Sequence, residues 1–235
     1  FLLMLQQSSL YFSRLENFDD PLEGHYSKGH FEALRSVKMV IHGDGDENKL
    51  RELALSSTKS TALLSRRFVC VNCWYQAHRE SRAMWNIYAA HGRGIDIVTD
   101  PDTLQSCLKE KSDFEIATGC VDYLDYTVER LHAQPGISPA FYKDISYEHE
   151  KEVRAALWDD TPNGHEYQHM LNMDLKHGFN VPVDLNTLIQ KVVLSQDCDS
   201  LQMDSLKDIM NKYNLRVPIV SSELTTLSGY LDDIK

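Results

Sequence analysis

The densest run of chemically capable side chains lies between Lys143 and Arg154, spaced K-x-x-x-Y-x-x-E-x-E-x-R. Crowded carboxylates raise one another's proton affinity or attract a cation. Glu150 and Glu152 are therefore candidate catalytic groups, with Lys143 and Arg154 supplying compensating charge. Their geometry depends on the backbone. In a strand, Glu148, Glu150, Glu152 and Arg154 share a face, which sets carboxylates beside a guanidinium. In a helix, Glu150 and Arg154 become an i,i+4 pair on a solvated surface. A second acidic group lies in Arg14–Gly24 (RLENFDDPLEG). Asp19, Asp20, Pro21 and Gly24 mark a turn, and Asp20, preceding a proline, is pushed away from helical geometry. Either this is a well-made turn with Glu23 capping a helix, or Asp20 and Glu23 stand beside a strand end and bind a cation or orient a substrate hydroxyl.

The aromatic candidates lie in Cys70–Asp100, a strand-helix-strand stretch around which the chain can be organised. Arg67–Trp74 (RFVCVNCW) is short and rich in β-branched and aromatic residues, which predicts a buried strand. Arg79–His91 lacks proline and glycine and is filled with good helix formers. Helical spacing puts Ser81, Trp85 and Tyr88 on one stripe. Trp85 and Tyr88 are either core aromatics whose polar tips find partners or the wall of a pocket. Glu80, at the start of the helix, complements its dipole. Gly92 is the natural residue to end it. Ile95–Thr99 alternates as a strand, and Asp100–Pro101 opens a further helix with the aspartate as N-cap.

Several other patterns carry little chemistry. Gly43–Glu47 (GDGDE) lacks the ligand offsets of an EF-hand. His165 and His169 have metal spacing on a helix but no third ligand of known placement, so they read as surface histidines. Cys70 and Cys73 form a CxxC, yet no second pair completes a zinc site and residues three apart on a strand face opposite ways. No metal site is assigned.

The remaining elements are helices over Tyr26–His42, Asn48–Arg66, Thr103–Lys111 and Ser200–Tyr213, with a short one capped by Asp184. Strands are expected at Leu10–Ser13, Glu115–Tyr126 as one long or interrupted strand with a bulge at Gly119, Val181–Val183, Lys191–Leu194 and Val217–Val220. This mixture predicts an α+β fold in a single mixed domain, 1–235. The 235 residues are 42% hydrophobic and 25% charged, ordinary for a globular protein, and the formal charge of −11 opposes a broad nucleic-acid surface. No apolar run is long enough to span a bilayer. Five scattered cysteines suit a reducing compartment, so a cytoplasmic location is expected.

Three blocks together resemble a bacterial family, the domain of unknown function 2971. They are FDDPLEG at Phe18–Gly24, the CW, ES, MW and Y residues across Cys73–Tyr88 followed by HGRGI, and the Lys143–Arg154 block. The closing D-L-x-x-L-I helix and the serine-bearing Ser221–Leu224 are similar too. Tyr147 stands where such proteins commonly carry tryptophan. The resemblance also implies an opening segment upstream of Phe1.

That layout is in turn similar to ADP-ribosyltransferase-type domains and to abortive-infection proteins of phage defence. The likeness implies an enzyme using NAD. Glu150 or Glu152 would stabilise the developing ribosyl cation, Trp85 and Tyr88 would stack on nicotinamide, and the first-strand arginine or histidine would be Arg14 or lie in the upstream segment. Two alternatives stand beside it. One is a hydrolase of phosphoesters with Asp20, Glu23, Glu150 and Glu152 converging on Mg²⁺. The other is a non-enzymatic sensor or binding module for a small-molecule or nucleotide ligand, in which the motifs hold the fold together.

Overall fold

The computed structural model of the chain describes residues 1–38, 46–89, 93–161 and 164–224. In chain order the elements are α1 (Leu2–Gln7), β1 (Ser9–Arg14), α2 (Lys28–Ser36), α3 (Glu47–Phe68), β2 (Val69–Tyr75), α4 (Arg82–Tyr88), β3 (Ile95–Val98), α5 (Pro101–Lys111) and β4 (Ile116–Cys120). They continue with β5 (Asp122–Leu124), β6 (Tyr142–Asp144), β7 (Glu152–Trp158), α6 (Tyr167–Asn172), β8 (Gly178–Pro182), α7 (Leu185–Leu188), β9 (Lys191–Leu194), α8 (Ser200–Lys212) and β10 (Ile219–Ser221). The fold is α+β. Among the described residues no helix is long and apolar enough to cross a membrane. The last turn of the helix expected to reach His42, most of the Gly43–Glu47 loop, and Gly92 lie outside the described residues.

Helix starts follow local chemistry. Ser27, Asp46, Ser81, Asp100, Asp184 and Asp199 each accept a backbone N–H in the first turn of the helix they precede. Each satisfies a donor that the helix itself leaves unpaired. At α8 the Gln202 side chain reciprocates by accepting the Asp199 N–H.

Two compact units emerge. The first comprises residues 1–10, 77–112 and 180–235, the second 11–76 and 113–179. In the first, β9 lies between β10, to which it is parallel, and β3, to which it is antiparallel. Trp85, Ala89 and Val193 form a core there, with Val98, Val220 and Leu224 packed against it.

A five-stranded sheet has the order β4-β7-β2-β1-β8, and its strands β4, β7 and β2 lie wholly in the second unit. The two strands of the Cys70–Asp100 stretch join different sheets, β2 this one and β3 the three-stranded one. β7 runs antiparallel to both neighbours, from Val69↔Trp158 to Tyr75↔Glu152 on β2 and from Ile116↔Leu157 to Cys120↔Val153 on β4. Residues Glu152 to Leu157 are all buried, so β7 is covered on both faces. Alternation puts Glu152, Arg154 and Ala156 on one of them. Ala156 packs there with Leu15, Val69, Val71 and Ala140.

The Glu115–Tyr126 stretch takes the interrupted form of the two expected. β4 ends at Cys120, Val121 N–H donates to the Glu152 carbonyl (2.9 Å), and β5 pairs in parallel with β6. Gly119 is not a bulge. It pairs in register with Arg154, and a Cβ there would make ordinary contact with the Phe141 ring at 3.4 Å.

Candidate functional site

A glutamate and an arginine on a strand buried on both faces must find partners inside the protein, because an isolated buried charge is prohibitively costly. Arg154 is 0% exposed. Its Nε and Nη2 donate to the two Glu152 carboxylate oxygens (2.7 and 2.9 Å), and Nη1 and Nη2 donate to the two Glu23 oxygens (2.9 Å each). Nη1 also donates to the Ala140 carbonyl at 2.7 Å. These bonds use all five guanidinium N–H groups.

Glu23 reaches this position because its turn is fixed from outside. Leu22 N–H donates to Asp20 Oδ1 (2.8 Å), and Gly24 takes a left-handed φ of 71°. Arg66, in the last turn of α3, donates to the carbonyls of Asp20, Pro21 and Glu23 at 3.2, 2.8 and 2.7 Å. Glu23 therefore caps no helix; it lies 1% exposed against Arg154.

The block before Arg154 is neither all strand nor α-helix. Ile145–Glu150 is a 3-10 turn, Lys151 adopts a left-handed φ of 42°, and β7 begins at Glu152. The turn exposes Glu148 and brings Glu150 back over Lys143 of β6. The Lys143 ammonium lies 2.5 Å from Glu150, 2.8 Å from Glu152 and 3.2 Å from Glu23. It also sits 4.5 Å from the centre of the Tyr147 ring, a cation–π contact that tryptophan would make as well. Glu152 N–H donates to the Tyr123 hydroxyl at 2.8 Å.

Three carboxylates face two cations, leaving one negative charge in excess. The imbalance falls on the outermost carboxyl. Burial, joined by the neighbouring Glu152, raises Glu150 above the usual range against the pull of Lys143. Burial also pushes Glu152 up, but the hydrogen bonds and charges of Arg154 and Lys143 outweigh it and hold Glu152 well below the ordinary carboxylate range. Burial opposes charge on Lys143 as well, and the carboxylates around it reverse that and keep it firmly protonated.

The other candidates lie elsewhere. Arg14 is 1% exposed and its guanidinium is consumed by the Asp159 carboxylate and the carbonyls of Arg67 and Lys176. Asp20 shapes the turn through Oδ1, while its buried Oδ2 has no partner among the described residues. Trp85 belongs to the first unit, where it packs in the core and donates its indole N–H to Glu80 at 2.9 Å. Glu80 accepts in addition from Ser222 Oγ (2.5 Å) and Glu223 N–H (2.7 Å), so it ties the C-terminal strand region to α4 rather than serving only the helix dipole. Tyr88, on the same helix, is 69% exposed. Reasoning from sequence missed Tyr123, Asp159 and the Ala140 carbonyl. No periodicity or motif marks them, because their roles come from strands distant in sequence.

The arrangement does not provide a metal site. The Lys143 ammonium stands among the carboxylates of Glu23, Glu150 and Glu152, where a divalent ion would have to sit. Among the described residues no group of three or more His, Cys, Asp and Glu could hold a metal ion. Cys73 is registered against Arg154 and Cys70 against Leu157, so the two thiols leave opposite faces of β2. Compared with known proteins, the chain matches no family model, no curated protein and no solved structure.

Proposed function

We propose that this chain is a non-enzymatic binding module, acting in a reducing cytoplasm, in which the Glu23–Lys143–Glu150–Glu152–Arg154 network is an internal clamp. The observation that carries the reading is saturation: all five N–H groups of Arg154 and the whole Lys143 ammonium are engaged by acceptors of the protein itself. A residue that must stabilise a developing cation needs a carboxylate facing substrate, and Glu152 is committed to two internal cations. The blocks that resemble the domain of unknown function 2971 family support the same reading. FDDPLEG contributes Glu23 and the Lys143–Arg154 block contributes the rest, so two of the three blocks meet as interlocking scaffold.

The NAD-using transferase is a second reading, favoured by one observation. Glu150 is the least enclosed member of the network, with 13% of its side chain exposed and a raised proton affinity. The two readings separate in one experiment, in which the wild-type chain and Glu150→Gln are incubated with NAD and followed for nicotinamide release and for thermal unfolding. We expect no nicotinamide release from either. Release by the wild type that disappears in a Glu150→Gln variant of unchanged melting temperature would overturn the binding-module reading.

A further inference from the structure

We infer that the groove bounded by β5, β6 and the segment after Thr127 is a binding site for a small organic anion with a planar ring, of the nucleoside monophosphate class. This deepens the binding-module reading and rests on it. The groove is open to solvent and offers about 550 Å³, a volume within the range of small-molecule sites. Parallel pairing of β5 with β6 sets Asp122 beside Tyr142 on one wall, with Tyr123 next along the strand.

Arg130 and His132 line the groove as well, on either side of Leu131. Leu131 is 1% exposed and packed with Tyr26, Ala62 and Tyr126, so its neighbours are turned outward. The segment is held from beneath. Ser27 Oγ donates to the Glu129 carbonyl (2.5 Å), and His30 Nδ1 donates to the Leu131 carbonyl (3.1 Å). The backbone that carries Arg130 and His132 is thus held in place, which lowers the ordering cost of binding. Asp122 and Glu129 both line the groove; Glu129 Oε2 also accepts the Asp125 N–H (2.7 Å).

The chemistry of the walls selects the ligand. Arg130 presents a fork of donors suited to phosphate oxygens, with His132 beside it. Tyr123 and Tyr142 line the groove and give it aromatic surface for a planar base. Asp122 accepts from a sugar hydroxyl or an exocyclic amine. Tyr123 carries the groove to the internal network, since its hydroxyl takes the Glu152 N–H.

The test is calorimetric titration of the full chain with the four common nucleoside monophosphates, adenosine and inorganic phosphate, repeated with Arg130→Ala and Asp122→Asn. At least one monophosphate should bind more tightly than both adenosine and phosphate. Arg130→Ala should weaken it about tenfold or more, the usual scale for a charge-assisted contact, and Asp122→Asn should weaken it less. No binding by any monophosphate at millimolar concentration, or binding that both variants leave unchanged, would overturn the assignment. Neither result depends on nicotinamide release, so failure here is distinguishable from failure of the binding-module reading.

Discussion

Replacing Arg154 by methionine keeps most of the aliphatic stem and removes the guanidinium, which isolates the energetic role of the clamp. Glu23 and Glu152 then lose a bidentate partner each while their side chains remain 0% and 7% exposed, and the Ala140 carbonyl loses its donor. Lys143 alone cannot neutralise three carboxylates. Removing one partner of a buried ion pair costs about 3–5 kcal/mol, because the other is left charged in a poor solvent. Total stability for a domain is about 5–15 kcal/mol, so the variant should fold but with much of its margin gone. With a urea slope of about 1–3 kcal/mol per molar, the midpoint should fall by about 1 M or more. The assay is equilibrium urea unfolding followed by circular dichroism. Adding Glu23→Gln and Glu152→Gln to Arg154→Met should restore part of the loss, since the orphaned charges are then gone. A loss below about 1 kcal/mol for the single variant, or a triple variant weaker than the single, would refute the account of the network as a clamp.

Further outcomes follow from the same geometry. The folded pKa of Glu152 is depressed, so its contribution is fully present above the unfolded value of about 4.3 and is lost as pH falls below it; urea midpoints between pH 2.5 and 7 should drop at the acid end, more steeply for wild type than for Glu152→Gln. Burial pushes the Cys70 thiol up to about 12, so Cys70 should resist an aromatic disulfide reagent at pH 8 until the protein unfolds, whereas the exposed Cys120 should react in the native state. A Cβ at Gly29 would lie 2.2 Å from the Val128 carbonyl oxygen, and Gly29→Ala should therefore cost about 1–3 kcal/mol in thermal unfolding, the scale of an overpacked site.

Residue order alone is enough for features that depend on neighbours a few residues away. Asp100 and Asp184 announce helix starts because a cap bonds only two or three residues downstream, and stretches rich in β-branched residues such as Val69–Val71 and Val192–Val193 announce strands through their own shape. The chemically dense Lys143–Arg154 block was legible as a concentration of charge, and Glu23 as part of a turn. Only the tertiary structure decided that these belong together. Glu23 and Arg154 are separated by 131 positions, and no local pattern relates a turn after β1 to the face of a strand so far along the chain. The left-handed backbone at Lys151, which folds Glu150 back over Lys143, lacks the glycine that would have signalled it. Trp85 shows the same division: its stripe follows from helical period, but whether that stripe meets solvent, ligand or core depends on what packs against it, and it meets Val193 and the Glu80 carboxylate. Local geometry is fixed by bonds between near residues, while the environment of a side chain, and so its charge state and chemistry, is set by segments the chain brings together only on folding.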